Sequence, residues 1–272
     1  MKTKMAMIAI ALMLSPALIS LRADENEWKE IREKHFLVYY EEDKSAAENT
    51  ARKAEEYYVE IARELGIKRF DNFWLWDNRA RIYLYDDRME FVRDTESPEW
   101  ASGKADYVNK TIYGFRGSRD FLESLLPHEI AHLIFRDFLG FDANAPLWLD
   151  EGVAMWSEPA RRENVRHFML KLRDANKTIP LDQLTSMNVA SLKDGAQAMT
   201  FYAQASSIVG FMISKLGSDQ FRKFCGEIRD GKSVNDALRF TYTGKMDTIT
   251  ELEEAWLADL NGADEKQQGK TQ

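Results

Sequence analysis

The sequence predicts an α+β fold. Strand-like runs are confined to its first 115 residues, helical periodicity takes over from Phe121, and no repeat or low-complexity linker divides the chain. One domain is therefore expected from about residue 28 to 260, followed by a polar tail over 261–272. At 272 residues and 44% hydrophobic content the chain can bury a full core, which excludes a disordered or collagen-like protein.

The elements follow in order. Lys2 and Lys4 precede an apolar run from Met5 to Leu21, and Ala23 stands just before the acidic Asp24-Glu25-Asn26-Glu27. A basic start, a short apolar middle and a small exit residue read as a signal peptide over 1–23. A retained membrane span is disfavoured, because the run is at the lower limit of spanning length and Pro16 interrupts it. The mature protein is accordingly expected outside the cytoplasm, periplasmic or secreted, without stable membrane insertion. Phe36–Tyr40 is apolar and aromatic and reads as a buried strand, Arg81–Tyr85 alternates as a second, and Thr111–Phe115 gives a third. Between the first two, Ala47, Ala51, Ala54, Tyr58, Ile61 and Leu65 recur every three or four residues, one face of a helix that stops at Gly66. Further helices are expected over 121–139, 147–158, 159–175, 201–216, 218–229 and 248–260. Trp74, Trp76 and Trp100 are expected in the core.

Charge and cysteine content remove whole classes of function. With 37 basic against 45 acidic residues the net charge is −8, which lacks the electrostatic footprint of a nucleic-acid binder. The single cysteine, Cys225, rules out an internal disulfide, a Cys-based zinc site and a CxxC redox pair. Its helix-like setting, Phe221-Arg-Lys-Phe-Cys-Gly-Glu-Ile, reads as a buried small hydrophobe.

Two of the four histidines fall in His128-Glu129-Ile130-Ala131-His132. Residues four apart share one helix face, so both imidazoles reach a single metal ion, and neutral imidazole is a good ligand for Zn²⁺. Glu129 projects beside the pair, where a general base would act on water. The flanking Leu125, Leu126, Leu133, Ile134 and Phe135 bury this helix, and a buried His-Glu-His face without a partner would be costly. Phe135 and Phe138 stand where the extended metzincin pattern needs Gly and His. The third ligand is then Glu151, separated from His132 by eighteen residues, on a second helix that Gly140, Asn144 and Pro146 allow to fold back. Two His, one carboxylate and an open position make a catalytic zinc site rather than a structural one.

The HExxH pentad, the eighteen-residue gap and Leu147-Trp-Leu-Asp-Glu-Gly-Val-Ala resemble the gluzincin metallopeptidases, nearest the aminopeptidase N branch and the small "peptidase MA-like" domains. The resemblance is specific over about 124–157 and looser over 200–217. It implies a zincin-like fold, zinc held by His128, His132 and Glu151, and Glu129 as base. It also implies a further role for Tyr202, in Phe201-Tyr202-Ala-Gln-Ala-Ser-Ser, as hydrogen-bond donor to the oxyanion of the tetrahedral intermediate. His167 is a substitute donor, and His35 reads as structural.

The branch's Gly-x-Met-Glu-Asn strand, which grips a substrate's amino end, is absent. Endopeptidase action on a peptide or protein, with the substrate adding as a strand beside 111–115, is thus favoured over aminopeptidase action. Pro127, just before His128, leaves the helix start open. Two other readings stand beside the zinc peptidase: an exported zincin-fold binding or scaffolding protein without catalysis, and zinc hydrolysis of a non-peptide amide or ester.

Overall fold

Three apolar runs of the first third become the middle of a mixed five-stranded sheet in the computed structural model, which describes residues 28–67, 74, 78–140, 145–188, 192 and 194–268. The signal-peptide segment 1–23, Trp76 and Asn144 lie outside the described residues. The strands are β1 (Lys29–Arg32), β2 (Phe36–Tyr40), β3 (Ala80–Tyr85), β4 (Gly103–Asp106) and β5 (Thr111–Phe115), in the order β1-β2-β3-β5-β4. β2, β3 and β5 run parallel, while β1 and β4 close the two sides antiparallel.

Register fixes which face is which. Val38, Ile82 and Ile112 are aligned neighbours and fully buried against the helices. One residue along, Tyr39, Tyr83 and Tyr113 are aligned on the opposite face and stack with ring centroids 4.7 and 5.5 Å apart. The period-2 alternation of the strands thus separates a core face from an aromatic outer face. Helix α1 (Lys44–Glu64) connects β2 to β3; its Ala47, Ala51, Ala54 and Ile61 are buried as the spacing predicts, and Asp43 caps it by accepting from the Ala46 N–H. Helix α2 (Arg88–Thr95) lies between β3 and β4, and its Phe91 packs beside Tyr85 and Phe115.

From Phe121 onward the regular elements among the described residues are helices, in agreement with the α+β expectation. The expected helix 121–139 has two parts, a π-helical turn over Phe121–Leu125 and then α3 (Leu126–Leu139). Pro127 explains the division. It has no N–H to donate, and its ring would press on the carbonyl four residues back, so the wider turn, in which the Leu126 N–H reaches the Phe121 carbonyl, absorbs it. Gly140 ends α3 with φ of 88°, open to glycine. The later helices are α4 (Leu147–Trp156), α5 (Arg162–Asp174) after a 3-10 turn Pro159–Arg161, α6 (Leu181–Ser186), α7 (Gly195–Ser214), α8 (Ser218–Arg229), α9 (Val234–Thr241) and α10 (Ile249–Gln268).

Several expectations are corrected. Strand 111–115 is flanked by β3 and β4, so its backbone is already paired on both sides; the free side of the sheet there belongs to β4. Trp100 is 54% exposed instead of buried, whereas Trp74 is fully buried with its Nε1 donating to Asp137 at 2.6 Å. Helix α10 continues to Gln268, past the residue 260 at which a tail was expected. Cys225 is buried on α8, and burial pushes its thiol up, away from reactivity. None of the described helices is long and apolar enough to cross a membrane.

Candidate active site

Helix α3 presents His128, Glu129 and His132 within a fully packed neighbourhood, each 5% exposed or less. Helix α4 brings Glu151, 1% exposed, to face them. Two glycines allow that approach. A Cβ at Gly152 would stand 2.8 Å from the Ala205 carbonyl oxygen on α7, and one at Gly210 would meet the Trp156 ring at 2.4 Å. Helices α4 and α7 therefore pack closely at these two glycines, and that contact sets Glu151 on α4.

The donor atoms converge. His128 Nε2 and His132 Nε2 are 3.1 Å apart, and Glu151 Oε2 is 3.9 and 3.8 Å from them. A tetrahedral zinc ion with bonds near 2.0 Å has ligand–ligand edges of about 3.3 Å; the histidine pair is close to that edge, and Glu151 lies about half an ångström further out. Glu151 Oε2 is buried and has no hydrogen-bond partner. An unsatisfied carboxylate oxygen aimed at two imidazole nitrogens fits a bound cation. Burial pushes the Glu151 carboxyl up, helped by the charges of Asp150 and Glu129 and opposed by the two histidines.

Each histidine is held from behind. His132 Nδ1 meets Asp150 Oδ1 at 2.9 Å, and His128 Nδ1 meets Glu158 Oε1 at 2.9 Å. These contacts leave both Nε2 atoms turned toward Glu151, the arrangement by which outer carboxylates orient metal-binding imidazoles. Arg136 in turn holds Asp150, with Nη2 at 2.7 Å and Nε at 3.2 Å from Oδ2. Burial alone would raise Asp150, but His132 and Arg136 keep it well below the usual carboxylate range. Glu158 is fully buried, with Arg161 Nε 3.0 Å from its second oxygen as an ion pair whose angle falls short of a hydrogen bond. For His128, burial favours the neutral ring, yet Glu158, Glu129 and Glu151 outweigh it and raise the imidazole to about 9. The cluster thus favours positive charge, carried by a proton or by a metal ion.

On the other side of α3, the turn between β4 and β5 delivers Tyr107. Its hydroxyl donates to Glu129 Oε2 at 2.7 Å, and its ring lies edge-on to His132 with centroids 5.4 Å apart. The Arg136 guanidinium covers the ring at 4.0 Å. Burial, with the Glu129 charge, holds this phenol well above its ordinary value, so it stays a donor.

Of the residues singled out from sequence, His128, His132 and Glu151 form the one group of three or more potential metal-binding side chains among the described residues, and Glu129 stands beside them. Tyr202 lies half-buried on α7; burial and the nearby Glu151 charge both raise its phenol. His167 is exposed on α5 and contacts Glu163 instead, with Nδ1 2.9 Å from the Glu163 carbonyl oxygen. His35 is structural, stacked on Tyr58 at 3.9 Å and bonded to Glu55 at 2.6 Å. Sequence reading missed Asp150, Glu158, Arg136 and Tyr107. Asp150 could have been found, as the acid beside Glu151 on a helix already turned toward the histidines. Tyr107 carried no such signal, since only strand pairing brings it to α3.

A mixed sheet leading into helices, with an HExxH helix facing a glutamate on the next one, defines a zincin-like metallopeptidase domain. The family model of the Peptidase MA superfamily matches residues 76–262, more than half of the chain, and the chain belongs to that superfamily. No curated protein matches it in sequence. The matched stretch begins after β1, β2 and α1, yet β2 pairs directly with β3 and completes the same sheet.

Proposed function

We propose that the protein is a zinc-dependent peptidase in which His128, His132 and Glu151 hold the metal and Glu129 is the general base. The observation that carries this reading is the convergence of two Nε2 atoms on an otherwise unpartnered, buried Glu151 oxygen, with a second glutamate alongside. Zinc, when bound, supplies a Lewis acid that lowers the pKa of water and polarises the scissile carbonyl. Glu129 takes the water proton on the oxygen not engaged by Tyr107 and hands it to the departing amine nitrogen. Tyr202, kept protonated by burial and by Glu151, donates a hydrogen bond to the oxyanion.

The substrate is a peptide or protein cut internally, because no residue run for gripping a free amino end is present. An extended substrate adds to the free side of β4, the last strand of the sheet and the one whose turn leads to Glu129. The basic-then-apolar segment 1–23 supports an exported protein, periplasmic or secreted.

The test is zinc stoichiometry by elemental analysis together with cleavage of a peptide library. Wild type and Glu129→Gln are each expected to bind one equivalent, Glu151→Ala much less, and turnover in Glu129→Gln to fall by about a thousandfold or more. Wild type that takes up no zinc after reconstitution would falsify the reading and leave a binding module.

A further inference from the structure

We propose that Tyr107 is a positioning residue for Glu129: its hydroxyl fixes one carboxylate oxygen, so that the other faces the reacting water. This rests on the peptidase reading above and extends it to a residue in the turn between β4 and β5, outside the zinc-helix motif.

Three contacts place the ring. The hydroxyl donates to Glu129 Oε2 at 2.7 Å. One face is covered by Arg136 at 4.0 Å, and the ring meets the His132 imidazole edge-on. Arg136 is itself fixed by two hydrogen bonds to Asp150, the residue that orients His132. A single chain of contacts therefore runs from the general base through Tyr107 and Arg136 to the support of a metal-binding histidine. The turn is also pinned at its other end, where Lys110 Nζ bonds Asp137 of α3 at 2.7 Å, two helical turns beyond Glu129. Asp137 is buried and also accepts from Trp74. With both ends of the turn tied along α3, the phenol is held where it is.

The chemistry needs such a hold. A glutamate side chain has three rotatable torsions, and a general base works only in the few orientations that reach the water proton. A neutral donor on one oxygen removes rotational freedom without supplying a competing charge, and leaves the second oxygen as the proton acceptor.

The experiment compares Tyr107→Phe with wild type and with Tyr39→Phe, a tyrosine on the far face of the sheet. In Tyr107→Phe we expect kcat to fall roughly tenfold or more, KM to stay within about twofold, and zinc to remain at one equivalent. Tyr39→Phe is expected to match wild type. A second readout needs neither zinc nor substrate. In metal-free wild type, proton NMR should show an exchange-protected phenolic proton that is absent from Tyr107→Phe and displaced in Glu129→Gln. A Tyr107→Phe enzyme with unchanged or raised kcat overturns the proposal, and so does a wild type lacking the protected proton. Wild type that binds zinc but cleaves nothing overturns the peptidase reading, and this role of Tyr107 falls with it.

Discussion

Helix α3 is supported differently on its two sides. On the helical side its histidines meet Asp150 and Glu158, acids 18 and 30 residues further along, through charged hydrogen bonds backed by Arg136 and Arg161. On the sheet side its Glu129 and Asp137 meet Tyr107 and Lys110, both from one turn between antiparallel strands. The helical side therefore depends on how closely α4 packs, and the sheet side on the register of β4 against β5. Metal affinity should follow the first and the handling of the proton the second.

The most disruptive way to break that division is Gly152→Val. The branched side chain would drive into the Ala205 backbone, costing about 3 kcal/mol or more, and zinc uptake should be lost together with thermal stability. On the sheet side Gly114→Ala puts a Cβ within 2.5 Å of the buried Phe121 ring. We expect a loss of about 1–3 kcal/mol in denaturant unfolding, with zinc stoichiometry unchanged. Should the metal go too, the two sides are not separable.

Asp150→Ala sharpens the helical half. It frees His132 and strands Arg136, so zinc affinity measured by competition with a chelator should drop about 10- to 100-fold.

The pH response belongs to the same half. His128 is raised in the folded protein to about 9, above the value near 6.5 of an unfolded chain. Its contribution to metal-free stability is then complete below about pH 6.5 and disappears as pH rises through about 9. Thermal midpoints of metal-free protein should fall across that window, while zinc binding tightens as the proton leaves. A flat metal-free profile would remove His128 from this account. The smallest effect is expected for Trp100→Ala, since a side chain 54% exposed should alter the unfolding free energy by no more than about 0.5 kcal/mol.

What could be read from the sequence divides along the same line. The HExxH pentad, Glu151 and the Gly140 stop are local patterns, each written in residues a few turns apart. The apolar face of α1 is equally local. β4 was not legible because Gly-Lys-Ala-Asp has no strand propensity. It becomes a strand because β5 pairs with it and because Gly103 makes room for Leu125, a contact more than twenty residues away. β1, with Lys-Glu-Ile-Arg, is illegible for the same reason: it lies on a border of the sheet, where pairing with β2 and the packing of Ile31 against the core hold it. Tyr107 inherits this illegibility, since its place is fixed by the register of a strand that the sequence does not announce. The short helices α2, α6 and α9 leave no legible signal, because six to eight residues give too few turns for periodicity to stand out.

The π-helical turn before Pro127 has a consequence for rotational phase. A turn closed by a bond one residue longer than usual carries one residue more than an α-helical turn, and a residue occupies about 100° of α-helix circumference. Phe121 anchors the start of this segment against Gly114 of the sheet, whereas His128 and His132 face α4. The extra residue sets the angle between those two directions. It works as a fixed offset between the sheet anchor and the histidine face, so shortening 121–125 by one residue would rotate the histidines away from Glu151 while leaving every side chain of the motif intact.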